Sequence, residues 1–291
     1  MAHRAGYVNI IGLPNVGKST LLNVVLGEKL VITNPKAQTT RHRILGILND
    51  EDHQLVLSDT PGILEPQYPL QQSMMRAVDE ALQDADVLLI MVEVGQDPDN
   101  SRGLVDRAVR FEGPKIVLVN KMDTADEPSL LAALEVWSSV FPQAQVVPLS
   151  ALHGFNVDAL RERLKELLPE HPPYFPKDEL SDRNTRFFVS EMIREKVLAQ
   201  YRQELPYSCE VVVNTFEVSD ALVRIQADIM VMREGQKGIL IGKQGSALRR
   251  LGTAARKDIE EFIGVKVFLD LKVKVDPDWR SDKRKLKRYG Y

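Results

Sequence analysis

The feature that most constrains this chain is Gly12-Leu13-Pro14-Asn15-Val16-Gly17-Lys18-Ser19. It matches G-x-x-x-x-G-K-[ST], follows an apolar run at 7–12 and leads into Thr20-Leu21-Leu22-Asn23. A strand, a tight glycine loop and a helix satisfy it in that order. The glycines let backbone N–H groups close around phosphate oxygens, and the positive helix end adds a favourable field. Lys18 then reaches the β- and γ-phosphates and Ser19 ligates Mg²⁺. The expected nucleotide-contacting residues here are Gly12, Leu13, Pro14, Asn15, Val16, Gly17, Lys18, Ser19 and Thr20.

Such a loop belongs at the carboxyl end of a buried parallel strand, and the surrounding pattern agrees. Short apolar, β-branched runs at 7–12, 44–49, 54–58, 87–92, 115–119 and 145–149 predict strands. Helices are expected at 18–26, 70–83, 100–111, 128–140 and 157–168. Runs of this kind suit a sheet buried on both faces, and the alternation predicts a doubly wound α/β fold. Only Asp50-Glu51-Asp52-His53 separates two of the strands, so a hairpin is expected there and one strand should be antiparallel.

Further motifs fall at strand ends. Asp59-Thr60-Pro61-Gly62 follows the strand at 54–58. Asp59 is expected to hold magnesium through water, and the Gly62 N–H to meet a γ-phosphate. Between these elements lies the polar Gln38-Thr39-Thr40-Arg41. Thr40 is favoured as a further Mg²⁺ ligand, with Thr39 the alternative, so the metal set is Ser19, Thr40 and Asp59. Asn120-Lys121-Met122-Asp123 selects the base. The Asp123 carboxylate accepts from N1–H and N2–H₂ of guanine; adenine leaves it unpaired, at about 1–3 kcal/mol or more. Asn120 braces the loop, the Lys121 stem covers the base face, and Ser150-Ala151-Leu152 offers the Ala151 N–H to guanine O6. Lys18, Thr40 and Gly62 are expected to carry the catalytic step. Many GTPases place a water-orienting Gln just after the glycine corresponding to Gly62. Here that residue is Ile63, so slow intrinsic hydrolysis is expected.

The second half changes character. Pro169, Pro172, Pro173 and Pro176 crowd one short stretch and lack backbone donors, which predicts an interdomain linker at 171–180. Beyond it come an amphipathic segment at 182–203, strands at 208–218 and 221–232 with a turn at Ser219-Asp220, a glycine-punctuated loop at 235–245, a helix at 246–263 and a strand at 265–275. The order is α-β-β-α-β. Gly242-Lys243-Gln244-Gly245 at the helix entry fits the G-x-x-G clamp with which KH domains grip about four single-stranded nucleotides. Gly242, Lys243, Gln244, Gly245, Arg249 and Arg250 are the expected RNA-contacting residues. The expected divisions are thus 1–170, a linker at 171–180, 181–277 and a basic tail at 278–291. The tail mixes bases with Trp279 and Tyr289. It is read either as a phosphate-neutralising, base-stacking arm or as a solvated helix.

Charge supports the division. The net charge is -3, but 15 Lys+Arg face 23 Asp+Glu in residues 1–170, and 23 face 18 in residues 171–291. An acidic front and a basic back point to a polyanion at the back. The single cysteine, Cys209, excludes an internal disulfide, fits a reducing compartment and is expected in the core. No apolar run reaches the ~18–20 residues of a membrane span. The amino terminus has no apolar signal region, so no export signal is expected.

Together G-L-P-N-V-G-K-S at 12–19, Q-T-T-R-H at 38–42, D-T-P-G at 59–62, N-K-M-D at 120–123, S-A-L at 150–152 and I-L-I-G-K-Q-G-S at 239–246 resemble the Era family of ribosome-biogenesis GTPases, across almost the whole chain. The resemblance implies a Ras-like P-loop GTPase domain with a mostly parallel sheet, followed by an α+β type II KH domain. It implies GTP/GDP and Mg²⁺ as ligands, and K⁺ beside Asn15, whose other reading is a loop-bracing hydrogen bond. It also implies a monomer that matures the small ribosomal subunit by binding near the 3′ end of its RNA under nucleotide control. The implied setting is the cytoplasm, with peripheral membrane contact. A GTPase switch acting at the membrane or on protein partners is the alternative.

Overall fold

The computed structural model describes every residue except Met1 and Asp220. It divides into two compact units, Met1–Gln67 with Gln71–Asp182 and Tyr68–Leu70 with Arg183–Tyr291.

The first unit runs β1 (Arg4–Gly12), α1 (Lys18–Leu26), β2 (Ile44–Asn49), β3 (His53–Asp59), α2 (Pro69–Gln83), β4 (Val87–Glu93), α3 (Arg102–Arg110), β5 (Lys115–Asn120), α4 (Glu127–Val140), β6 (Gln145–Pro148) and α5 (Val157–Leu167). The sheet order is β2-β3-β1-β4-β5-β6. Its pairings are parallel except the expected hairpin, in which β2 runs antiparallel to β3. Val87, Leu88, Leu89, Ile90, Met91 and Val92 of β4 are fully buried. This explains the unbroken apolar run, because both faces of a central parallel strand lie under helices. The carboxyl ends of β1, β3 and β5 therefore open on one edge, where the phosphate, magnesium and base motifs sit.

The segment expected to be the interdomain linker, 171–180, is bonded along the first unit. Gln54 of β3 is fully buried. Its Oε1 accepts from the Tyr174 and Phe175 N–H groups at 2.7 and 3.0 Å, and its Nε2 donates to the Phe175 carbonyl at 2.8 Å. Further on, the Ile47 N–H donates to the Leu180 carbonyl at 2.9 Å, Ser181 Oγ to the Leu45 carbonyl at 2.5 Å, and the Leu45 N–H to Asp182 Oδ1 at 3.1 Å. Proline-rich chain lacks donors, but its carbonyls and intervening N–H groups suit a strap along a sheet edge.

The second unit runs α6 (Thr185–Gln200), β7 (Glu210–Val218), β8 (Val223–Val231), α7 (Glu234–Ile241), α8 (Ser246–Ile263), β9 (Val267–Val275) and α9 (Lys283–Arg288). β8 pairs antiparallel with β7 and parallel with β9. This is the type II KH arrangement, with a helix inside it that the sequence pattern did not show: α7 occupies most of the expected loop at 235–245. Its start is fixed by Gln236 Oε1, which accepts from the Met232 and Arg233 N–H groups at 2.9 and 3.2 Å. Of the expected turn at Ser219-Asp220, Asp220 lies outside the described residues. Cys209 is buried, as expected.

The expected tail also proves to be part of this unit. Trp279 is fully buried, its Nε1 donates to the Ser208 carbonyl at 3.0 Å, and its ring meets those of Tyr289 and Tyr291. An indole placed there cannot stack on a nucleic-acid base. Lys283, Arg284 and Lys287 of α9 remain exposed. Among the described residues no helix is long and apolar enough to cross a membrane.

Candidate functional site

The strand ends build a cleft of about 700 Å³ lined by residues of every nucleotide motif, among them Asn15, Lys18, Ser19, Thr40, Gly62, Asp123 and Leu152. Pro14, Gly17, Thr20, Asn120, Lys121 and Ala151 also line it, as do Thr33, Asn34 and Pro35, which the motif reading missed.

The phosphate loop is held by close packing. Gly17 has φ +107°, and a Cβ there would lie 2.3 Å from Asn120 Nδ2; a Cβ on Gly62 would lie 2.7 Å from the Pro14 backbone. Lys18 is buried, and its Nζ donates to the Leu13 and Gly12 carbonyls at 2.8 and 3.2 Å. Burial pulls its pKa down to about 8 against the opposing charge of Asp59. Val16 is buried, and its carbonyl accepts from Asn120 Nδ2 at 2.7 Å, which joins the phosphate loop to the base loop.

Ser19 Oγ donates to Asp59 Oδ2 at 2.7 Å and lies 2.9 Å from Thr40 Oγ1, which donates to the same oxygen at 3.1 Å. Thr39 Oγ1 bonds instead to the Lys36 carbonyl at 2.7 Å. Of the two threonines, Thr40 is therefore the one gathered with Ser19 and Asp59. Burial pushes Asp59 upward in pKa, offset by the Ser19 hydrogen bond and the Lys18 charge. Its Oδ1 is buried with no hydrogen-bond partner. A buried oxygen of this kind beside two hydroxyls suits a hard divalent cation, so the donor set fits Mg²⁺. Thr60 and Pro61 are buried behind this group, and Thr60 Oγ1 donates to the Ile10 carbonyl at 2.6 Å. They brace the loop and do not line the cleft. Ile63 is buried, and its N–H donates to the Gly12 carbonyl at 3.0 Å.

At the base end, Ser150 Oγ donates to Asp123 Oδ1 at 2.5 Å, and His153 Nε2 lies 3.6 Å from Oδ2. The Ser150 bond holds the Asp123 carboxyl below its ordinary pKa. Asn120 Oδ1 accepts from the buried Ala151 N–H at 2.9 Å. The N–H expected for guanine O6 thus also ties the two loops together. Lys121, with φ +62°, is ion-paired to Glu93, a partner that no motif signals.

In the second unit Gly242 (φ +69°), Gln244 (φ +52°) and Gly245 (φ +76°) shape the loop entering α8, and Arg249 donates to the Gln244 carbonyl at 3.0 Å. Lys243 is exposed. Beside this loop lies a groove of about 460 Å³ whose lining includes Gly245, Arg249, Thr253, Arg256 and Phe268. Phe268 is half exposed and carries the Arg224 guanidinium over its ring. Arg250 is exposed but does not line the groove; Arg256, one of the bases that follow the G-x-x-G element in the sequence, and Phe268 do, and only the packing of α8 against β9 reveals Phe268.

Known proteins share this arrangement. A family model for 50S ribosome-binding GTPases matches residues 7–121, and a KH-domain model matches residues 204–280. A GTPase Era of Geotalea uraniireducens is 45% identical over 99% of this chain and 98% of its own length. The chloroplastic GTPase ERA1 of Zea mays is 42% identical over 99% of this chain and 71% of its own. Among solved structures, Era in complex with MgGDPNP and nucleotides 1506–1542 of 16S ribosomal RNA superposes with TM-score 0.95 at 38% identity, covering 99% of both chains. An Aquifex aeolicus Era variant bound to GDP and aluminium fluoride gives 0.94 at 38%, again covering 99% of both chains.

Proposed function

Because the chain belongs to the Era family of GTPases, we propose that it matures the small ribosomal subunit by binding the 3′ end of the small-subunit RNA through its KH groove, under control of the bound nucleotide. The reading is carried by one observation: a complete guanine-nucleotide cleft and a G-x-x-G groove stand in a single chain, which aligns over almost its full length with a relative whose structure holds both ligands.

Hydrolysis of GTP to GDP moves the γ-phosphoryl group to water. Lys18 would leave its two loop carbonyls to meet the β- and γ-phosphates, and the Gly62 N–H would receive the γ-phosphate. Ser19, Thr40 and Asp59 would hold Mg²⁺, which neutralises charge on the phosphate oxygens. Asp123, fixed by Ser150, would read the guanine edge. Ile63, apolar and buried, cannot orient the attacking water, which makes intrinsic hydrolysis slow. Asn15 is exposed, with φ +67°, and lines the cleft; this favours a K⁺ ligand over a loop brace. Equal hydrolysis rates in K⁺ and Na⁺ would remove K⁺ from the site.

In this reading the γ-phosphate orders residues around 30–43 and 60–70, and its loss releases them. The deciding experiment is binding of a labelled single-stranded 3′-end fragment of small-subunit RNA with GDP or a non-hydrolysable GTP analogue. Tighter binding with the analogue, lost in Gly242→Asp, supports the reading. The new side chain would start 2.6 Å from Ala247 Cβ and bring a negative charge into the clamp. Binding indifferent to both nucleotide and mutation would sink the nucleotide control and the clamp. The proposed setting is the cytoplasm and the proposed state a monomer. Contact with the inner face of the membrane is the second setting, checked by flotation with anionic liposomes.

A further inference from the structure

Three residues beyond Thr40, the chain is gripped by the interior of the first unit. Arg43 Nε donates to Ser58 Oγ at 2.7 Å, Nη1 to Asp84 Oδ2 at 2.6 Å, and Nη2 to Asp84 Oδ1 at 2.8 Å and Asn9 Oδ1 at 3.4 Å. Asn9 Nδ2 donates to Asp84 Oδ1 at 2.8 Å and to the Ala81 carbonyl. Asn9 and Ser58 are fully buried and stand opposite each other in the β1–β3 register.

Their places in the chain matter. Asn9 lies on the strand that delivers the phosphate loop, Ser58 immediately precedes Asp59, and Asp84 follows α2, the helix after Asp59-Thr60-Pro61-Gly62. One guanidinium therefore joins the roots of all three phosphate-facing segments. The two-pronged contact with Asp84 needs the planar fork of arginine, which a lysine cannot copy. An isolated exposed ion pair is worth little, but the Arg43 side chain is only 17% exposed and reaches two buried partners.

The other end of the segment is fixed as well. Asn23 Oδ1 on α1 accepts from the Leu30 and Val31 N–H groups at 3.0 and 2.9 Å, and its Nδ2 donates to the Val31 carbonyl at 2.8 Å. Between these anchors lie the cleft-lining Thr33, Asn34, Gln38 and Thr40.

We infer that Arg43 is a positioning residue for the γ-phosphate. It fixes the root of the Thr40 segment to β1 and β3, so that Thr40 meets Ser19 and Asp59 in register, and it makes the end of α2 share that anchor. This rests on the reading of Thr40 as an Mg²⁺ ligand that is called on only when γ-phosphate is present. GDP does not call on Thr40, so the effect separates the two nucleotides.

The test measures affinities of the full chain for fluorescent GDP and a fluorescent non-hydrolysable GTP analogue in Mg²⁺, together with thermal melting. The proteins are wild type, Arg43→Ala, Asp84→Asn, the double variant and Thr40→Ala. Arg43→Ala should weaken the analogue about tenfold or more while GDP changes by no more than about threefold. Asp84→Asn should show a smaller loss in the same direction. The double variant should be no worse than Arg43→Ala, because the two residues act as one unit. A structural role alone would lower the melting temperature and weaken both nucleotides alike, which overturns the inference. If Thr40→Ala weakens the analogue selectively and Arg43→Ala does not, the inference about Arg43 fails by itself. If Thr40→Ala also leaves the ratio unchanged, the γ-phosphate reading of Thr40 fails and the inference falls with it.

Discussion

Replacing Asp123 with Asn should change which purine the cleft accepts, and the geometry says why. Ser150 Oγ donates to Asp123 Oδ1 at 2.5 Å. In Asp123→Asn the hydroxyl keeps an oxygen as its acceptor, so the new amide turns its NH₂ group to the side where guanine presents N2–H₂. Donor then faces donor. At least one hydrogen bond to a charged acceptor is lost, at about 1.5–3 kcal/mol, and the guanine amino group is left unpaired, at about 1–3 kcal/mol more. Near the low end of that sum, about 3 kcal/mol already lowers GTP affinity about a hundredfold. Xanthine carries a carbonyl where guanine carries that amine, and it accepts from the amide. Competition of GTP and XTP against fluorescent GDP on wild type and variant measures both effects. The GTP-to-XTP preference should invert. A variant that still binds GTP within about tenfold of wild type and gains nothing for XTP would refute the placement of Asp123 on the base edge.

Other perturbations probe the packing and the charges. Trp279→Ala should cost the second unit about 3–5 kcal/mol, as expected for emptying a buried aromatic site; calorimetry should show its transition falling while GDP binding survives. Burial raises the pKa of Asp276, but the Lys285 and Tyr289 hydrogen bonds and the Arg288 charge outweigh it and hold the carboxyl low. Its contribution to stability is thus present above the usual aspartate pKa of about 3.9 and is lost as pH falls through the lower folded value. Asp276→Asn should remove that acid limb from melting curves taken across pH. Lys18, held at about 8, should take up a proton when polyphosphate binds. Nucleotide affinity should be full below that value and decline as pH rises through the higher pKa of the bound state, with proton uptake read by calorimetry in two buffers of different ionisation enthalpy.

Local chemistry was legible in the sequence. The phosphate loop, Asp59 and Asp123 stand at strand ends because their spacing and flanking runs require it, and the β2–β3 hairpin followed from a short polar connection. Contacts made across the fold were not legible. Arg43 and Asp84 are far apart in sequence, and nothing local to either predicts a shared fork. Helix α7 was read as loop because Gly235 and Gly238 weaken helix propensity, whereas Gln236 supplies a start that becomes visible only with the backbone in place. Trp279 looked like part of a basic arm because Arg280, Lys283 and Arg284 surround it; its burial depends on Ser208, Tyr289 and Tyr291 meeting around it. Thr60 matched a motif, yet its hydroxyl is spent on the Ile10 carbonyl. A pattern match identifies a loop and does not say which of its atoms face outward.

The strap at 171–182 also decides where the first unit can be cut. β2 is an edge strand, and bare N–H and C=O groups along such an edge recruit other strands. Here the strap takes the Ile47 N–H, the Leu45 N–H and carbonyl, and the side chain of Asn49, and it satisfies the buried Gln54. A fragment ended at 170 would strip all of these at once, leaving a sticky border and the Gln54 Oε1 without its two donors, though Nε2 keeps its bond to Asn49 Oδ1. A fragment ended at 182 would carry its own hem. The first unit is therefore longer than its helices and strands suggest, and the prolines that look like a place to divide the chain lie in the segment that covers its sheet edge.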